Sequence, residues 1–175
     1  EMDENEKKSI VYIDRAKNVQ FRENIQKVKL LNQLFRPEVI LFETNTFAKS
    51  FTQELRQVAD VNVHDFDTTR RKKQEIILNL QMTLENGKIN FPYGNEESRK
   101  VSSLLIEEMS MFAITERGKF EGIGAHDDMV MSLALANAAT YQASDNFILL
   151  DDLGLFGDEP QRPQRGYSST IGLNF

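Results

Sequence analysis

Apolar and polar positions change period several times along this chain, and each change marks an element. Ser9–Ile13 reads as a strand. From Arg22 to Phe35, Ile25, Val28, Leu31 and Phe35 share one helical face. The run Val39-Ile40-Leu41-Phe42, closed by Glu43, is apolar on both faces, the mark of a central strand. Phe47, Phe51, Leu55 and Val58 return to helical spacing, and Val61–His64 alternates as a short strand. Asp67-Thr68-Thr69 is an N-cap cluster for a third helix with Ile76, Ile77, Leu80 and Leu84 as its stripe. Asn86-Gly87 ends that helix, and Ile89–Phe91 follows as a brief strand. A fourth helix over 96–110 turns Val101, Leu104, Leu105 and Met109 inward. Met111–Ile114 and Lys119–Ile123 pattern as a hairpin turning at Arg117-Gly118. A last helix starts at Asp127, and its span from Met129 to Ala139 is almost wholly apolar, which predicts a buried helix. Strands alternating with helices imply an α/β sheet with parallel pairs.

This order divides the chain into a charged, frayed segment at 1–8, a folded domain at 9–143 and a tail at 144–175 rich in Asp, Glu, Pro and Gly. The 175 residues suffice for one domain with a proper core. No run approaches a membrane span, so no membrane partner is expected. Cysteine is absent, which removes disulfides, thiolate metal sites and thiol nucleophiles. A net charge of −6 argues against a passive nucleic-acid coat, but not against an enzyme touching DNA through one basic patch. No GxxxxGK[ST] loop or GxSxG elbow is present.

The candidate chemistry lies at two element boundaries. In Gly124-Ala125-His126-Asp127-Asp128 an imidazole and two carboxylates precede the buried helix. Carboxylates there need compensation, from the helix N-terminus or from a divalent cation with its preference for oxygen. A plain N-cap needs only one of the two aspartates. Glu43 ends a central strand, where open α/β sheets place their ligands, and Asn45 and Thr46 follow as short polar residues suited to phosphate contact. Acid at a strand end and acid at a helix start suit a divalent metal site for phosphodiester chemistry. Arg70, Arg71, Lys72 and Lys73 form the densest basic cluster, at a helix start where cations oppose the dipole. Either they are a solvated helix end or they contact DNA phosphates, with Lys72 or Lys73 the better contacts if the cluster faces the acids. His64 reads as a structural histidine. His126 is auxiliary, able to orient Asp127 or hold a water; beside two acids it makes no zinc site.

The run from Val39 to Thr46, taken with Gly124-Ala125-His126-Asp127-Asp128-Met129-Val130-Met131-Ser132-Leu133, resembles the C-terminal nuclease domain of tailed-phage terminase large subunits. The basic helix from Thr69 and the strand Lys88–Phe91 fall where that family has similar elements, so the resemblance covers roughly residues 9 to 142 by element order. It implies a ribonuclease H-like mixed sheet flanked by helices, of the integrase and resolvase superfamily. It also implies a metal-dependent endonuclease that cuts concatemeric viral DNA during genome packaging, in the cytoplasm of the infected host cell. Double-stranded DNA would be the substrate. An ATPase domain upstream in the same polypeptide, the portal and the small terminase subunit would be partners. Glu43 matches the family's middle acid and Asp128 or Asp127 its last. Two Mg²⁺ or Mn²⁺ ions would be held by three or four carboxylates, Glu43 bridging and Asp127 auxiliary.

The family's first acid lies on its first strand. Asp14 follows Val11-Tyr12-Ile13, but one helix and one strand fill most of the interval to Glu43. Two further strands of about five or six residues would not fit there. Asp14 therefore reads as the end of the third strand, with the first two strands and the first acid absent from this chain. On that expectation the chain alone cleaves DNA poorly. The competing readings are a non-catalytic module that binds DNA or the portal with the same fold, and a resolvase-like nuclease.

Overall fold

The computed structural model describes residues 1–5, 7–16, 19–43, 48–58, 60–114, 120–122 and 127–143. Its elements run β1 (Lys8–Ser9), α1 (Phe21–Phe35), β2 (Ile40–Glu43), α2 (Ala48–Val58), β3 (Val63–Phe66), α3 (Arg70–Glu85), β4 (Ile89–Asn90), α4 (Glu96–Ser110), β5 (Phe112–Ile114), β6 (Phe120–Gly122) and α5 (Asp128–Ala143). The expected order holds throughout, and α4 has the predicted bounds. Local chemistry explains several boundaries. Thr69 caps α3 by accepting from the Lys72 N–H at 3.3 Å. Asn95 and Ser98 form a reciprocal capping box at the start of α4. Beyond α3, Gly87 takes φ 63°, a left-handed conformation that favours glycine.

Three strand pairs form among the described residues. β1 pairs with β4 and β2 with β3, both parallel, and β5 with β6 antiparallel. The sequence pattern put the first strand at Ser9–Ile13 and the third at Val61–His64, and both shift. Lys8 and Ser9 pair with Ile89 and Asn90, the Ile10 N–H still donates to the Asn90 carbonyl, and residues 11–14 leave the ladder. Apolar residues there are held by packing instead: Ile10 and Ile13 contact the core while Val11 and Tyr12 are exposed. The strand from Val63 ends at Phe66 because pairing with Ile40–Glu43 selects that register. Of the segment 1–8, read as frayed, the described residues 1–5 and 7–8 fold back, with Ser9 N–H donating to the Glu1 carbonyl and Lys8 buried.

Two apolar clusters flank β2. Ile25, Phe51, Leu55 and Val63 form one, with Ile40 and Phe42 against it. The larger one is built around α5, whose Met129, Val130, Met131, Leu133, Ala134, Leu135 and Ala138 are all buried with Ile76, Ile77, Leu80 and Leu105. The predicted buried helix is therefore found. Two helix faces differ from expectation: Leu104 and Phe35 are exposed, and Ser102 is the residue α4 buries completely. Ser102 can be buried because its hydroxyl donates to the Pro92 carbonyl at 2.8 Å. The tail at 144–175 and the hairpin turn at Arg117-Gly118 lie outside the described residues.

α3 and α5 run side by side in the same direction. Lys73 bonds Asp127 at their starts, and Asn137 bonds Thr83 ten residues further along each helix, about 15 Å on. At that second contact the Asn137 amide both donates and accepts. Its Nδ2 donates to Thr83 Oγ1 at 3.3 Å and its Oδ1 accepts from Lys8 Nζ at 2.7 Å. This buried relay ties β1 to both helices.

Candidate active site

Strand alternation decides which way Glu43 points. Ile40 and Phe42 pack on the α1–α2 side, and Leu41 packs on the α5 side. Glu43, two residues beyond Leu41, therefore belongs to the face that α5 covers. It is exposed at the carboxyl end of β2, directly opposite Phe66 in register.

The same edge gathers the other candidates. Phe66 leads through Asp67, Thr68 and Thr69 into α3, so the basic cluster begins beside the end of β2. Lys72 Nζ lies 5.8 Å from the centroid of the Phe66 ring. Lys73 Nζ donates to Asp127 Oδ2 at 2.7 Å, a partly buried ion pair, and lies 5.9 Å from the Phe112 ring of β5. The ends of β2 and β3 and the starts of α3 and α5 thus share one edge, with Glu43, Lys72, Lys73, Asp127 and Asp128 upon it.

The α5 start is built from three elements. The Asp127 carbonyl accepts the first helical bond, from Met131 N–H at 2.9 Å, so Asp127 occupies the N-cap position. Its carboxylate is held by Lys73, and the cap is made elsewhere: the N–H groups of Met129 and Val130 donate to Glu108 Oε1 at 2.7 and 3.0 Å. Glu108 is buried in α4, and its second oxygen lies 3.7 Å from an Arg15 guanidinium nitrogen. Asp128 is exposed on the first turn of α5. It lines one end of a groove of about 780 Å³ between α5 and residues 8–16, which also takes in Ser132, Ala136, Asp14 and Arg15. In that wall Asp14 pairs with Lys27 of α1. The carboxylate holds the Lys27 ammonium protonated to a higher pH than usual, chiefly through their hydrogen bond.

The basic cluster at α3 is partly neutralised from within the chain. Arg71 pairs with Glu75 one turn on at 3.5 Å, and Lys73 pairs with Asp127. Arg71 and Lys73, which oppose the helix dipole, are thereby offset, a compensation the sequence pattern did not disclose. Asn45, Thr46 and His126 lie outside the described residues. His64, expected to be packed or half-exposed, is exposed, its Nε2 2.9 Å from Asn62 Oδ1. Glu108 was the residue missed by sequence reasoning. It is an acid on the inward side of a helix, at i+3 from the inward Leu105, and that placement was its available signal.

The donor chemistry fits a hard divalent cation: Asp127, Asp128 and Glu43 are carboxylates on one edge, beside a lysine that already holds a positive charge against Asp127. Among the described residues no three acid or histidine side chains group closely enough to hold an ion by themselves.

No protein-family model matches the chain, and no curated protein matches it. Among solved structures it is similar to the large terminase nuclease from thermophilic phage G20c, whose crystal structure has bound cobalt. The TM-score is 0.57 at 22% sequence identity over 70% of this chain. The chain spans 63% of the length of that nuclease. The likeness establishes the fold: a mixed α/β arrangement of short parallel strand pairs flanked by helices, of the ribonuclease H-like kind, shared with that nuclease.

Proposed function

We propose that this chain is the nuclease part of a large terminase and hydrolyses phosphodiester bonds of double-stranded DNA with divalent metal, cutting concatemeric viral DNA for packaging. One observation carries the reading. On a fold shared with a terminase nuclease, the contacts bring the Glu43 end of β2, the basic start of α3 and the Asp127-Asp128 start of α5 to one edge. Glu43, Asp127 and Asp128 would hold Mg²⁺ or Mn²⁺, and the cobalt in the neighbour supports a divalent ion. Such ions, when bound, make a water nucleophilic at neutral pH and stabilise the leaving oxygen.

The chain's own side chains have defined tasks around that chemistry. Lys73 donates to the Asp127 carboxylate at 2.7 Å and holds it in place at the start of α5. If Asp127 were to hold a cation in place of the Lys73 ammonium, Lys73 would be able to donate to a phosphate oxygen at the same edge. Lys72, stacked toward Phe66, and Arg70 and Arg71 on the first turn of α3 supply further phosphate contacts. Contacts of that kind carry no base information, so cutting is largely independent of sequence. Asn45, Thr46 and His126 are assigned auxiliary roles, the first two on phosphate and the last beside Asp127.

The second reading is a module of the same fold that binds DNA or the portal without cutting. It is favoured by the lack of any group of three acids among the described residues. Plasmid cleavage by the full-length protein in Mn²⁺ separates the two. Glu43→Gln and Asp128→Asn are each expected to abolish cutting while circular dichroism and thermal unfolding stay unchanged. Asp127→Asn is expected to be harmful to cutting as well. Unchanged cleavage in both Glu43→Gln and Asp128→Asn refutes the assignment.

A further inference from the structure

Glu108 is not needed for the chemistry proposed above, yet it occupies a position with few alternative explanations. It is an acid on α4, only 7% exposed. A buried carboxylate is costly unless its oxygens are satisfied. One oxygen is satisfied twice, by the Met129 and Val130 N–H groups. The other is buried, has no hydrogen-bond partner among the described residues, and has only the charge of Arg15 at 3.7 Å to offset it. An apolar residue would fill this space at lower cost if burial were all that mattered.

What the arrangement achieves is local. The unsatisfied N–H groups at a helix start ordinarily draw the N-cap side chain, which here is Asp127. Because Glu108 takes those N–H groups, the Asp127 carboxylate is directed to Lys73 and Asp128 faces the groove. Glu108 also fixes the first turn of α5 to α4, and through Arg15 to the segment after β1. Three separate stretches of chain therefore meet at the turn that carries both aspartates.

From this we infer that Glu108 is a positioning residue: it caps α5 from a neighbouring helix and so sets the placement of Asp127 and Asp128 for a cation. The inference rests on the metal-dependent reading above for its functional half, and on the hydrogen bonds alone for its structural half.

The test uses three variants of the chain and two measurements that need no cleavage. Glu108→Gln keeps a carbonyl able to accept both N–H groups. Glu108→Asp keeps the charge but withdraws it by one methylene. Glu108→Ala removes both. Amide hydrogen exchange at Met129 and Val130 reads the cap, and Mn²⁺ titration by calorimetry reads the aspartates. Glu108→Ala is expected to speed exchange at those amides, and to weaken Mn²⁺, by about tenfold each. Glu108→Gln should restore both to within about threefold of the parent, and Glu108→Asp should fall between. Parent-like exchange and Mn²⁺ affinity in a folded Glu108→Ala overturn the inference. If that variant does not fold, the order of the other two decides: loss in Glu108→Gln with none in Glu108→Asp shows that charge alone matters and overturns positioning. Parent protein that takes up no Mn²⁺ overturns the metal-dependent reading instead, and the exchange comparison still decides what Glu108 does.

Discussion

The two ends of the acid set are built to different standards of rigidity. Asp127 and Asp128 start a 16-residue helix that is buried on nearly every side. That start is pinned by Glu108 from α4 and Lys73 from α3. Glu43 ends a four-residue strand whose side chains are at best half-buried, with β3 as its partner in the ladder. Among the described residues Glu43 makes no hydrogen bond or ion pair and is exposed. One half of the candidate site is thus held by contacts within the chain. The other half is a carboxylate with its direction set by strand alternation and its rotamer left open. Ordering such a side chain costs conformational entropy, of order 1 kcal/mol, which a bound cation would have to offset. The contrast implies that losses on the α5 side propagate through packing, while losses on the β2 side remain local.

Core truncation breaks the comparison most severely. Leu105 is 2% exposed and sits in the cluster beneath the start of α5. Leu105→Ala should cost about 2–5 kcal/mol in urea denaturation. Leu41, partly buried against the same cluster from β2, should cost less on the same change, about 1–2 kcal/mol. Equal losses at the two positions would mean that the β2 side is as tightly integrated as the α5 side.

Charge removal at α3 comes next. Lys72 and Lys73 are neighbours, but among the described residues Lys73 is the one held by a carboxylate. Replacing Arg71, Lys72 and Lys73 together by Ala should weaken DNA binding and flatten its salt dependence, since fewer counterions are released. Taken singly, Lys72→Ala should reduce the slope of log affinity against log salt by about 1. In the absence of metal Lys73→Ala should reduce it by less, because Asp127 already engages that ammonium. Lys73→Ala should also lower stability by about 1 kcal/mol, the partly buried pair being worth more than a surface one. An unchanged slope in all these variants would show that the cluster is only a solvated helix end.

The α5 half of the site was more legible in the sequence than the way it is held. Apolar content from Met129 to Ala139 announced a buried helix, and two acids before it announced a costly boundary. Periodicity also located α3, α4 and the strand ending at Glu43, because each buries one or both faces in the predicted rhythm. It ran β1 four residues too far and set β3 two residues too early, since short strands take their limits from partners far along the chain. Lys8 pairs opposite Ile89, and Phe66 opposite Glu43. The same cause hid Glu108. Its partners are the backbone N–H groups of Met129 and Val130, twenty-odd positions away, and no local pattern encodes them. Likewise the pairing of Lys73 with Asp127 gave a structural reason for a lysine that looked exposed and unfavourable in its own helix.

Asp14 gives the smallest expected effect and the sharpest test of the acid set. It lines the groove that Asp128 enters, but its carboxylate is engaged with Lys27 of α1. The two side chains are 37% and 36% exposed, so the pair contributes little in the presence of solvent and salt. Lys27 is held protonated above its usual range in the folded state. The pair's contribution is therefore fully present below the ordinary lysine value of about 10.5 and disappears as pH rises past it. Asp14→Asn should lower the melting temperature by no more than about 1 °C near pH 7, and the difference should vanish in strongly alkaline buffer. If Asp14 is merely the end of the N-terminal segment, cleavage by the full-length protein should be unchanged. Loss of Mn²⁺-dependent cleavage at an unchanged melting temperature would instead give Asp14 the role of first acid. The groove would then be one wall of the metal site, and the lightly held side of that site would include the segment after β1 as well as the end of β2.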